Sequence, residues 1–234
     1  MANFGKERRE ARLAEIFSVT ELIDEKMYNI ILCGTVLYGI IVNFILCVTV
    51  GNAAKYMDPF VFLILYFVLC FGGIWLSAKS KNPAVSFLGY NMIVIPIGLA
   101  ISTCVELMSK AYGSEVVVEA FLITMCVTLA MTAFAIFFPD KCASFGYLLL
   151  PCLIGLLIAE IVMLILGISN IAFAWIGAIL FSLYIAYDVY RSQQFAFTVD
   201  NAVDCAVDIY LDIANLFLRI MQILARSKGG RSRR

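Results

Sequence analysis

The stretches FSLYIAYD (Phe181 to Asp188) and IYLDIANLF (Ile209 to Phe217) decide how this chain folds. Both are apolar and helical in pattern, and both carry an aspartate. Between them the clearest polar break runs from Thr198 to Asn201. Read together, Ile176 to Ala225 forms a hairpin of two apolar helices holding Asp188, Asp204, Asp208 and Asp212. An ionised carboxylate at bilayer depth costs roughly 3 kcal/mol or more, so one that persists there faces protein or water and serves a function.

Folding the hairpin about the midpoint between Asp188 and Asp212 puts these two at the same depth. At a rise of about 1.5 Å per residue, each sits roughly 10–15 Å along its helix from the membrane face. Two carboxyls in contact away from bulk water resist double ionisation, so they share protons and titrate as a unit. A pH-responsive element is therefore expected in a chain that has no histidine. Asp204, Asp208 and Asp212 recur every four residues and form a stripe, about 6 Å per step, from the turn to the pair. Asn215, one turn beyond Asp212, supplies an uncharged oxygen to the same region.

The rest of the chain sets that hairpin in a membrane. Of 234 residues, 63% are hydrophobic and 15% charged, which excludes an ordinary soluble domain. The net charge of zero says nothing about nucleic acid, because the charges sit at the two termini and in short loops, and no nucleic-acid partner is expected. Seven of the eight cysteines (Cys33, Cys47, Cys70, Cys104, Cys126, Cys152 and Cys205) lie inside apolar runs, with Cys142 at the edge of one. None is spaced C-x-x-C, so they read as reduced, buried side chains with no metal or redox site.

Stretches of about 20 apolar residues mark membrane spans. They fall at 27–50, 59–78, 84–106, 115–138, 143–166, 171–194 and 203–225, joined by short polar linkers. The chain thus divides into a polar, amphipathic tail (1–26), a seven-helix membrane domain (27–225) and a basic tail (226–234). The first segment is too polar for too long to be a cleaved signal peptide. With the N-terminus in the cytosol, that face carries Lys6, Arg8, Arg9, Arg12, Lys26, Lys79, Lys81, Lys141 and Arg191, against Lys55 and Lys110 opposite. Only the C-terminal cluster, Arg226 to Arg234, runs against the rule. Glu106 and Glu119 read as interfacial, Glu160 as a deeper group with either a functional or a pairing role, and Arg219 as a side chain that snorkels outward or else neutralises a carboxylate. Pro96 and Pro151 fall inside spans.

At FSLYIAYD and IYLDIANLF the sequence resembles the transmembrane Bax-inhibitor-motif family, including its bacterial members. That family has an aromatic-rich sixth helix ending in Tyr-Asp, then a seventh with Leu-Asp followed by Asn-Leu-Phe; VVVEAF (Val116 to Phe121) is a weaker match. The resemblance implies an all-α membrane protein of seven transmembrane helices, the last one central and wrapped by two three-helix layers. It also implies a pH-sensitive calcium leak pathway with Asp188 and Asp212 as the proton-sensing pair. In the bacterial pattern a basic residue at the end of the second helix latches the sixth-helix aspartate. Here Ser77 and Ala78 stand at that point, with Lys79 and Lys81 just beyond, and lysine lacks the two-pronged fork of arginine.

The expected function is accordingly a proton-gated calcium channel. Asp188 and Asp212 form the gate, and Asp204, Asp208 and Asn215 line the ion path. Asp188, Asp212 and Asp208 are the candidate calcium ligands, since hard cations favour clustered oxygens. Calcium is the transported ion and no cofactor is implied. The ligands are calcium ions, protons and lipid, and the protein is a monomer in the bacterial plasma membrane. Two other readings stand beside this one: a proton-coupled ion transporter using the same aspartates, and a regulatory protein that binds other membrane proteins through its N-terminal tail. Enzymatic activity is not expected, because neither histidine nor a metal-ligand spacing is present.

Overall fold

The computed structural model describes residues 22–50, 58–80, 82–167 and 170–231. Among them are seven helices and no strand: α1 (Glu25–Thr49), α2 (Pro59–Lys79), α3 (Pro83–Tyr112), α4 (Ser114–Phe137), α5 (Pro139–Ile165), α6 (Ile171–Ser192) and α7 (Val199–Arg231). Local chemistry sets most of the starts. Asp24, Asp58, Asn82 and Asn170 each accept a backbone N–H of the first turn, which satisfies donors that the helix itself leaves unpaired. Proline follows directly after Asp58 and Asn82, where its missing N–H costs nothing. The junction of α3 and α4 is the single residue Gly113 at φ 89°, a conformation that a side chain would strain.

Every expected span overlaps one helix, but α3 and α7 are longer than their apolar windows. α3 runs to Tyr112, carried by a Lys110–Glu106 ion pair one turn apart, and α7 continues to Arg231. Spanning length counts apolar residues, so helical extensions into polar surroundings escape it. The basic segment from 226 thus begins as helix, and Lys228 reaches Glu119 (3.1 Å) and Glu115 (3.7 Å) on α4. α3 and α5 continue unbroken through Pro96 and Pro151.

Helices α1 to α6 are long and apolar enough to cross a membrane. α7 is more polar and survives because protein surrounds it: Ala202, Ala206, Tyr210, Leu216 and Met221 are all buried. It packs against α1, α3, α4 and α6. α2 lies on α3 and α5 on α6, so α1–α3 and α4–α6 form two three-helix layers that enclose the seventh helix. The outer helices show the lipid-facing pattern of such a bundle, with Phe60, Phe71, Leu164 and Ile165 among the most exposed apolar side chains. All eight cysteines are free.

Candidate functional site

The turn joining α6 to α7 is earlier than the sequence suggests. It spans residues 193–198, and Asn201 is already inside α7. Thr198 caps that helix through its Oγ1, which accepts from Asn201 N at 3.1 Å, while Asn201 Nδ2 donates to Ala196 O at 2.8 Å. Two residues that look like a break are instead the start signal of α7. The start of α1 braces the turn. Ile23 N donates to Phe197 O at 2.8 Å, and the buried Tyr28 hydroxyl donates to Ser192 O at 2.9 Å.

Asp188 and Asp212 are buried, at 8% and 7% exposure, and their carboxyl groups lie within hydrogen-bonding reach of each other. Oδ2 of Asp212 has no donor among the described residues. Two ionised carboxylates present only acceptors to each other, so a proton shared between them is what would supply the missing donor. Tyr184, one turn before Asp188, is close enough to feel both charges.

The four-residue stripe does not stay on one line. Each step of four residues advances about 40° around a helix, so the three aspartates fan across different neighbours. Asp204 accepts from the Ser77 hydroxyl at the end of α2. Asp208 faces Arg191, with Oδ2 at 3.6 Å from Nη1. Asp212 meets Asp188. Asp200, a turn earlier, accepts from Ser86 Oγ on α3 at 2.6 Å. Arg191, Asp204, Asp208, Ser77 and Asn201 line a cavity of about 320 Å³ at this end of the bundle.

Two expectations change here. Among the described residues Arg191, not Lys79, is the base beside the pair, at 3.9 Å from Asp188. It stands one turn after Asp188 on the same helix. Lys79 makes no ion pair among the described residues and rests over the Trp75 ring at 4.7 Å, while Lys81 lies outside them. Asp188, Asp212 and Asp208 do not assemble a calcium cage. Among the described residues no three acidic or thiol groups converge as metal ligands, because Asp208 turns to the guanidinium. Nδ2 of Asn215 donates to Leu211 O at 2.8 Å.

Further along α7, Arg219 does not snorkel. Its guanidinium grips Glu160 of α5 with both prongs, one of them 2.9 Å long, so Glu160 takes the pairing role. Glu119, read as interfacial, is the partner of Lys228.

A polytopic helical bundle with a buried carboxyl pair between its sixth helix and its enclosed last helix is the class of protein these features define. A family model described as "Inhibitor of apoptosis-promoting Bax1" matches residues 20–229, and the chain belongs to that Bax inhibitor family. It is 29% identical over 196 residues to a Helicobacter pylori protein, covering 80% of this chain and 83% of that one. It is also similar to Bax inhibitor 1 of Saccharomyces cerevisiae, 34% identical over 138 residues, with 53% of this chain and 45% of the yeast protein covered. With Bax inhibitor 1 of Schizosaccharomyces pombe the identity is 27% over 175 residues, covering 72% and 62%. The chain thus spans under half the length of the budding-yeast relative and under two thirds of the fission-yeast one.

Proposed function

We propose that this protein is a pH-sensitive calcium leak channel of a bacterial plasma membrane, its N-terminus in the cytosol. The Asp188–Asp212 pair is its gate. One observation carries the reading: two carboxyls buried against each other on the two arms of the α6–α7 hairpin, beside Arg191 and next to a cavity lined with acid. A shared proton holds the arms together, and its loss places like charges face to face at low dielectric, which drives them apart. Calcium enters along Asp204 and Asp208, whose carboxylates line the near cavity, and the chemistry requires no catalytic group or cofactor. Relatives in Helicobacter pylori support the bacterial setting, and the distribution of Lys and Arg supports the orientation.

The test is dye-monitored calcium flux from liposomes across a pH series. Wild type should show a pH-dependent passive leak, and Asp188→Asn or Asp212→Asn should flatten that dependence. A pH profile unchanged in both variants overturns the gate. Uphill calcium accumulation driven by a proton gradient would make the protein a coupled transporter instead.

A further inference from the structure

The α6–α7 seam continues past the aspartate pair. On α6, Asp188, Tyr184, Phe181 and Gly177 follow one another at helical spacing, and on α7 Asp212, Asn215 and Arg219 do the same. The two faces meet again at the far end. A Cβ built on Gly177 would stand 2.9 Å from Nε of Arg219 and 3.1 Å from its Cδ, so the arginine side chain lies directly across that glycine. From there it crosses to α5 and grips Glu160 in a two-pronged pair, the side chains 15% and 27% exposed. Beyond the pair a second cavity, of about 390 Å³, opens toward the other membrane face, lined by Glu160, Arg219, Tyr112, Asn170, Met163 and Gln222. Between pair and gate the seam is filled by Phe181 and Leu216, 6% and 1% exposed, in one buried cluster.

We infer that the Glu160–Arg219 pair is a second gate, in series with Asp188–Asp212, that seals the interior against the far cavity. The inference rests on the leak-channel reading for its ion, but its geometry is independent of it. Asp212 and Arg219 are about 10 Å apart along α7 at 1.5 Å per residue, so the two closures sit at different depths. Their chemistry differs as well. The near gate is two acids sharing protons, whereas the far one is a salt link between a guanidinium and a carboxylate. Closed, Arg219 sets a positive charge across the path and pairs with the Glu160 carboxylate. Displaced, it leaves Glu160 as an oxygen ligand for a departing cation. Gly177 leaves room for the guanidinium stem to lie across α6, and a side chain at that position must shift it.

Three variants of the full-length protein in liposomes test this: Arg219→Gln, Gly177→Ala, and Glu160→Gln combined with Arg219→Gln. Gly177→Ala keeps every charge. The double variant keeps amide-to-amide hydrogen bonding, in case a lone Glu160 unfolds the bundle. Hydroxyl-radical labelling of Tyr184, which lies between the two gates, reads water entering from the far side. Labelling is expected to rise at least twofold in the folded variants. Calcium efflux is expected to rise severalfold at the pH where the Asp188–Asp212 gate is open and to stay at the wild-type floor where that gate is shut, with the pH midpoint unmoved. Tyr184 labelling equal to wild type in the folded variants overturns the second gate, whatever the flux. A wild type that passes no calcium at any pH sinks the leak-channel reading alone, and the labelling still decides the seal.

Discussion

Nη1 of Arg191 stands 3.6 Å from Oδ2 of Asp208, so a cation on α6 faces an acid on α7 across the mouth of the hairpin. The same nitrogen is 3.9 Å from Asp188, and one guanidinium therefore serves both arms. Neither contact is tight, and the arginine side chain is 46% exposed, so water screens both. Arg191 therefore tunes the site more than it holds the fold together. Replacing it with glutamine removes a cation that favours the charged carboxylates and is expected to move the pH midpoint of calcium flux upward, with Arg191→Lys retaining most of the wild-type position. Flux against pH checks this, and thermal stability in detergent should change little.

Tyr28 joins the first helix to the last turn of the sixth. Its side chain is fully buried, and its hydroxyl donates to the carbonyl of Ser192, one of the acceptors that a helix end leaves unpaired. Tyr28→Phe removes that donor and leaves the carbonyl buried and unmet. A loss of about 1–2 kcal/mol is expected in chemical or thermal unfolding. Amide exchange across residues 193–198 should quicken as the turn loosens.

Gly73 on α2 and Gly89 on α3 bring two backbones into contact. A Cβ at Gly73 would be 2.5 Å from Gly89 O, and one at Gly89 would be 2.7 Å from Gly73 O. Close approach at small residues is a main source of helix association where lipid removes the hydrophobic drive. Gly73→Ala forces the helices apart and should cost about 1–3 kcal/mol. Because Ser77 is one turn on and binds Asp204, the same change should alter calcium entry at unchanged pH midpoint.

Asn43 of α1 donates to the Tyr210 hydroxyl of α7 at 2.7 Å, while its own Oδ1 is buried without a donor among the described residues. Hydrogen bonds between helices in a membrane are individually modest. A double-mutant cycle with Asn43→Ala and Tyr210→Phe should give a coupling of roughly 1 kcal/mol, read from unfolding in detergent. A coupling near zero would mean that packing alone holds α1 to the central helix.

Much of the site was legible because it rests on local periodicity. Asp188 and Asp212 could be paired on paper from helix rise and the position of the break alone. The break itself is not legible, since a capping Thr-x-x-Asn looks polar whether it ends a helix or starts one. Arg219 is hidden for a related reason. Snorkelling and ion pairing look alike until the partner's helix is placed, and Glu160 is far away in sequence on α5.

The sequence by itself determined a bundle of membrane-spanning helices, because apolar runs of spanning length leave the backbone no alternative to helices in lipid. It also determined that the last hairpin would carry buried acid. Only the tertiary structure decided which neighbour each charge meets: Asp204 a serine, Asp208 an arginine, Asp212 an acid, Arg219 a glutamate. A helix repeat of 3.6 turns a four-residue stripe slowly around its axis, and the azimuth of each packed neighbour is set by side chains distant in the chain.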